Sequence, residues 1–334
     1  MRGYKLKNQN IPHAEVRALR RASKHAPRVV TAAFFFGFTF ASPAVAQAPA
    51  PASFEEAITL FQDGNYADAK VIADDYAAKD DARAYVLLGT IFQKGLGVEV
   101  DLKQAQIWYQ KGAEKGDADS ELALAMLLLS GTNEKPNVVD GAPWLQKAAE
   151  AGNVKAQYNL GLYYTGLYGT QSDWSNAAKW FGMAAAKGNA RAQHNLALLY
   201  LDGKGVPHDQ ITAADWFSKA AVQGMPEAAL EYGVLVFRGE GVQKDEVLGT
   251  KWLTIAAQHG NAVAQNRVAR ILALGLPGVK QDPIEAMKWN FLAAKQGRGD
   301  LELDAATEKA DPGMVKDAHT RADAFKPLPD KTPE

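Results

Sequence analysis

The chain has 334 residues, 47% hydrophobic and 22% charged, with a formal net charge of -1 and no cysteine. That balance belongs to folded globular proteins and excludes disordered, collagen-like and many-spanning membrane chains. Without cysteine there are no disulfides, no thiolate-held metal centres and no cysteine nucleophile, so apolar burial has to supply the stability.

Residues 1–46 read as an address. Arg2, Lys5, Lys7, Arg17, Arg20, Arg21, Lys24 and Arg28 stand against one acid, Glu15; an apolar run, VVTAAFFFGFTF, follows at 29–40, then Ser42, Pro43 and the small-x-small site Ala44-Val45-Ala46. This order describes a signal peptide cleaved after Ala46. The apolar run is too short for a bilayer core of about 30 Å, which takes roughly 20 residues. Arg20-Arg21 is a twin-arginine pair, but Ala22-Ser23-Lys24 lacks the large apolar residues that should follow it, which favours Sec export. The expected location is the periplasm, with no stable membrane anchor after cleavage. Residues 47–53 (QAPAPAS) form a linker. Without the leader's eight basic and one acidic residues, 29 basic and 37 acidic side chains remain, a formal charge of about -8. That charge argues against nucleic acid as a partner.

Residues 54–81 predict two short amphipathic helices. Ala57, Ile58, Leu60 and Phe61 share one face, Gly64-Asn65 makes a turn, and Tyr66, Ala69, Ile72, Ala73 and Tyr76 share the next.

From there a period takes over. Trp108, Trp144, Trp180, Trp216, Trp252 and Trp289 are separated by 36, 36, 36, 36 and 37 residues, and Gly116, Gly152, Gly188, Gly224, Gly260 and Gly297 keep the same beat eight residues later. Such self-similarity marks a solenoid of stacked units. Within 190–225, Ala192, Leu196, Leu199 and Tyr200 fall on one face of a first helix. Gly203-Lys204-Gly205-Val206-Pro207 breaks it, and Asp209 is placed to cap a second helix carrying Ala213, Trp216, Phe217 and Ala220. Asp101, Asn137, Asp173, Asp245 and Asp282 hold the capping position elsewhere. Alanines recur in first helices (Ala156, Ala192, Ala228, Ala264) and in second helices (Ala148, Ala184, Ala220, Ala256), where helices must approach closely. The tryptophans read as core wedges across the inter-helix seam.

The A-x-x-x-L-G/A-x-x-Y-x-x-G first helix, G-x-G-V turn and W-x-x-K-A-A-x-x-G second helix resemble the Sel1-like repeat family, a relative of the tetratricopeptide repeats. The resemblance covers six units, 82–117, 118–153, 154–189, 190–225, 226–261 and 262–299. It implies an all-α fold, a right-handed α/α superhelical solenoid of helix-turn-helix repeats. The second unit departs from it at Thr132-Asn133-Glu134-Lys135-Pro136, the third at Gly166-Leu167-Tyr168-Gly169, and the sixth carries an extra residue near Leu276-Pro277-Gly278. Some exported members pair cysteines within each unit and have been linked to penicillin binding; a chain without cysteine does not carry that over. The 54–81 unit then reads as a degenerate, tetratricopeptide-like N-terminal cap. Helices at 301–309 and 314–325, broken by Asp311-Pro312-Gly313, read as the C-terminal cap within 300–325, and 326–334 as a disordered tail.

No catalytic constellation emerges. His194, His208, His259 and His319 share no metal-ligand spacing, so no metal and no cofactor is expected. The G-x-G pairs Gly95/Gly97, Gly203/Gly205 and Gly239/Gly241 lie between helices, not after a strand, and so are turn glycines rather than phosphate cradles. Arg298-Gly299-Asp300 is an adhesion-like tripeptide at a unit boundary and reads as accident.

A binding face does emerge. Counted from the start of each first helix, positions 2, 6, 9 and 13 fall within one narrow arc at 100° per residue. This stripe holds Lys155 and Asn159; Arg191, Asn195, Leu198 and Asp202; Glu227, Glu231 and Arg238; Arg267 and Arg270. By resemblance to Sel1-like arrays it floors a concave groove. The resemblance implies a non-enzymatic adaptor that binds other proteins, in envelope signalling, envelope assembly or polysaccharide regulation. The alternatives are a peptidoglycan- or glycan-binding or hydrolysing envelope protein and a secreted host-interaction factor.

Overall fold

The computed structural model describes residues 53–131, 136–330 and 332. The expected leader, most of the linker and the second unit's turn at 132–135 lie outside the described residues. Among the described residues sixteen helices and no strand occur, and no helix is long and apolar enough to cross a membrane.

Helices α1 (Phe54–Gln62) and α2 (Tyr66–Ala78) form the N-terminal hairpin. Three hairpins follow: α3 (Ala82–Lys94) with α4 (Leu102–Glu114), α5 (Ala118–Ser130) with α6 (Val138–Glu150), and α7 (Val154–Tyr164) with α8 (Trp174–Ala186). Three more complete the array: α9 (Ala190–Asp202) with α10 (Gln210–Val222), α11 (Pro226–Arg238) with α12 (Glu246–Gln258), and α13 (Ala262–Leu274) with α14 (Pro283–Ala294). Each helix packs on the next in the chain, first helices on second helices, and second helices on the first helix of the following unit. That is an all-α solenoid. Helices α15 (Leu301–Glu308) and α16 (Pro312–Asp323) close it, α16 lying on α14.

The capping side chains fix each hairpin. Asp101, Asn137, Asp173, Asp209, Asp245 and Asp282 all accept from backbone amides in the first turn of their second helix. The same residues donate their own N–H to a late carbonyl of the preceding first helix, Asp209 to Tyr200 O at 3.0 Å and Asp173 to Tyr164 O at 2.8 Å. One residue thereby starts the second helix and ties it to the first. First helices are capped likewise by Asp81, Asp117, Asn153, Asn189 and Asn261; α11 instead starts with Pro226 and has no side-chain cap.

The eight recurring alanines are all fully enclosed. The tryptophan is enclosed as expected in two of the six units, and in the other four the enclosed wedge sits one residue further on. Trp180 and Trp289 are buried, while Trp108, Trp144, Trp216 and Trp252 keep part of their surface in solvent. The wholly enclosed residue is the next one: Tyr109, Leu145, Phe181, Phe217, Leu253 and Asn290. It lies over a small residue at position 8 of the first helix, and a Cβ on Gly89 or Gly161 would stand 2.3 Å from Tyr109 or 2.5 Å from Phe181. All of the repeat tryptophans but Trp252 have a lysine near the ring, with Lys147 at 4.1 Å from the Trp144 centroid and Lys219 at 4.0 Å from that of Trp216.

The second glycine of the G-x-G turn serves contact between units. A Cβ on Gly205 would lie 2.1 Å from Trp174 O, and one on Gly241 would lie 2.2 Å from Gln210 O, so each turn rests on the start of the preceding unit's second helix.

Two expectations at the C-terminus change. Asp311-Pro312 begins α16, because Pro312 suits a first helical position and Asp311 accepts from the amides of Gly313 and Met314. The segment after α16 stays exposed over 326–330 but is tied back to the array at Leu328. Phe325 meets Trp289 edge-on at 5.5 Å, and the Leu328 N–H donates to Gln258 O at 2.9 Å.

Candidate protein-binding face

None of the ten charged or amide residues assigned to the stripe is buried. Lys155, Arg191, Asp202, Glu227, Arg238 and Arg270 are exposed; Asn159, Asn195, Glu231 and Arg267 are half-buried. The four half-buried residues all stand at position 6 of their first helix.

Several stripe residues are engaged locally. Asn159 Nδ2 donates to Lys155 O at 2.8 Å, Asp202 pairs with Lys204 at 2.8 Å, and Arg238 with Glu240 at 3.5 Å. These are exposed pairs that contribute little stability. Asn195 stands beside the Tyr158 hydroxyl of the third unit and the His194 ring, near enough to influence both groups. Burial holds His194 below the ordinary histidine value, against the opposing pull of Asn195 and Glu227, and it meets Phe217 edge-on at 5.4 Å. Burial also raises the Glu231 carboxyl, with Arg267 on the next unit partly offsetting it.

The stripe is not one uniform surface. Arg238, Arg267 and Arg270 come together around a cleft of about 920 Å³ between the fifth and sixth units and the start of α15. Lys155, Asn159, Arg191, Asn195, Asp202, Glu227 and Glu231 do not line it. The segment set aside in the sequence as accident, Arg298-Gly299-Asp300, supplies the far wall. Asp300 is unavailable for adhesion-type recognition: its side chain is 2% exposed, it caps α15 through the amides of Glu302 and Leu303, and it pairs with Arg270. Burial pushes its carboxyl up, but Arg270 and those two amides outweigh this and hold it below the usual range. No periodic signal marked Arg298, because it follows α14 and stands outside the first-helix phase.

The histidines lie apart. His208 is exposed, with Nδ1 2.6 Å from Leu201 O; His259 ends α12; His319 stacks on Phe291 at 3.9 Å between centroids. Among the described residues no group of three or more His, Asp or Glu side chains is placed to hold a metal ion.

The Sel1 repeat family profile matches residues 82–117, 118–153, 154–189, 190–225, 226–261 and 262–297. Among solved structures, the chain is similar to c5321, a protective antigen present in uropathogenic Escherichia coli strains that displays an SLR fold. The TM-score is 0.70 at 24% identity, covering 82% of this chain and 61% of that one, so the likeness shows the fold alone. A Sel1 repeat protein from Oxalobacter formigenes is similar at 30% identity, with a TM-score of 0.62 over 72% of this chain and 96% of that one. No curated protein matches the chain. Folds of this kind are typical of scaffolds that bind other proteins, and six consecutive matches over hairpins built on one repeated core place this chain in the Sel1 repeat family.

Proposed function

We propose that the protein is a non-enzymatic periplasmic adaptor that binds other proteins along its first-helix face, concave in arrays of this type, within envelope signalling, envelope assembly or polysaccharide regulation. The observation that carries the reading is the accessibility of the stripe: over four successive units its polar residues stay in contact with solvent, while positions 3, 4 and 8 of the same first helices are buried. Stacked hairpins present such residues as an extended surface, the geometry suited to a peptide or domain. The stripe carries charge and amide groups and no aromatic side chain, which favours a protein over a glycan. The leader-like 1–46 segment supports export.

The test replaces Asn195 and Glu231 together by Lys and captures partners from envelope extract. Loss of a co-purifying protein, with helical content and melting retained, supports the face; unchanged capture overturns it. N-terminal sequencing of the mature protein from a periplasmic fraction should begin at Gln47. Recovery of the intact leader in the cytosol would remove the envelope assignment.

A further inference from the structure

The cleft between the fifth and sixth units departs from the rest of the stripe in both shape and charge. Four guanidinium groups line it, those of Arg238, Arg267, Arg270 and Arg298, against the carboxylates of Asp300 and Glu302. Asp300 is committed to Arg270 and to the α15 cap. Arg267 and Arg298 make no salt bridge among the described residues, although Glu231 lies within electrostatic range of Arg267. An excess of unpaired, accessible guanidinium therefore faces one concavity. Guanidinium is the side chain best matched to carboxylate, through two parallel charge-assisted hydrogen bonds.

The cleft wall is built and fixed. In the sixth unit the enclosed wedge position is polar: Asn290 Oδ1 accepts from the Asp300 N–H at 2.8 Å, and its Nδ2 donates to Asp304 at 2.7 Å. Asn266 Nδ2 donates to Arg298 O at 2.9 Å. The turn carrying Arg298 is thus tied to α13 and α14, so the guanidinium stands on an ordered backbone. Apart from Asn266 and the turn glycines Gly297 and Gly299, the remaining lining is apolar, with Val234, Phe237, Val263 and Ile271 contributing. A pure polyanion has no use for that wall, whereas a peptide with apolar side chains beside its acids does. The formal charge of about -8 on the chain without its leader further disfavours nucleic acid.

We infer that this cleft captures an extended acidic peptide segment of a partner protein, its carboxylates held by Arg267 and Arg298 and an adjacent apolar side chain set against Phe237 and Ile271. The inference rests on the first-helix face being the binding face and names the chemistry that one end of it recognises.

Selection of a phage-displayed random dodecapeptide library on the mature protein tests it. Enriched peptides should carry Asp or Glu next to large apolar residues. Synthetic versions should lose at least about tenfold in affinity against Arg267→Glu/Arg298→Glu, and should bind more weakly as salt rises. Arg267→Gln/Arg298→Gln should give a smaller loss in the same direction, which keeps the test open if charge reversal disturbs folding. The control Lys103→Glu/Lys251→Glu, two exposed second-helix lysines, should bind as wild type. Peptides without acidic enrichment would overturn the inference. So would displacement of the enriched peptides by polygalacturonate with no requirement for their apolar residues, which would mark a plain polyanion site. Binding that survives the arginine variants but is lost in Asn195→Lys/Glu231→Lys would overturn the cleft and keep the face. Survival in both pairs would overturn both.

Discussion

The third and fourth units share a frame and differ in how completely it is satisfied. In the fourth, Gln193 at position 4 of α9 donates to Ala185 O at 3.1 Å, and its Oε1 accepts from Gln223 Nε2 at 2.8 Å. In the third, Gln157 donates to Ala149 O at the same 3.1 Å, but the residue in place of Gln223 is Lys187. Lys187 reaches Gly152 O instead at 2.8 Å, and Gln157 Oε1 is left buried with no hydrogen-bond partner. The third unit also has a shorter first helix, eleven residues against thirteen, and a Cβ on its turn glycine Gly169 would meet nothing within 4 Å. In the fourth unit Gly205 is pressed against the preceding helix. A repeat keeps its register through caps and wedge alone, while the polar seal between units is optional and tunes stability.

The wedge should give the largest effect. Phe217→Ala empties the enclosed seam of the fourth unit and should cost about 3–5 kcal/mol in urea unfolding. Trp216→Ala, next to it, should cost less because that ring is already partly in water. Equal losses would show that the tryptophan is the true wedge.

The glycines come next. Gly205→Ala should cost about 1–3 kcal/mol from overlap with the Trp174 carbonyl. To this is added about 1–2 kcal/mol for a side chain at positive φ. Gly169→Ala carries only the second penalty, since no atom lies within 4 Å of its Cβ position. A Gly205 variant no less stable than the Gly169 one would mean that the turn does not bear on the neighbouring unit.

These contrasts show what one chain of letters discloses. The six second-helix caps were legible because an acid or amide recurs just ahead of each second helix, and its chemistry is local. The tryptophan beat was legible as a period, but in four of the six units it pointed one residue away from the enclosed position, because periodicity reports a repeated environment and not its depth. Gln157, Gln193 and Gln265 stand at the same repeat position and each donates to a carbonyl of the preceding helix, yet a glutamine on a helix carries no local sign of burial. The arginine cleft was legible in part. Arg238, Arg267 and Arg270 follow helical phase, whereas Arg298 joins them only through tertiary packing around Asn290 and Asn266.

The polar seal can be broken and repaired. Gln223→Ala strands Gln193 Oε1 and should cost about 1–3 kcal/mol. Lys187→Gln should do the reverse in the third unit and add about 1 kcal/mol. The sixth unit shows that one glutamine can serve both acceptors, since Gln296 Nε2 lies 3.1 Å from Gln265 Oε1 and 3.2 Å from Gly260 O. A destabilised Lys187→Gln protein would mean that the lysine bond to Gly152 outweighs the stranded amide oxygen.

The smallest effect is a pH dependence at His194. Its pKa is lowered in the fold from 6.5, chiefly by burial, so between the folded value and 6.5 the unfolded chain binds more protons than the folded one. The stability it contributes is therefore present above 6.5 and is lost as pH falls toward the folded value. His194→Phe keeps a ring against Phe217 and removes the titration, so its stability should vary less over that window than that of the wild type. Any polar contact of the imidazole is lost with it, which would lower stability by a similar amount at every pH. Only a flattened slope reports the titration, and parallel curves for the two proteins would show that the ring is not held neutral by the seam.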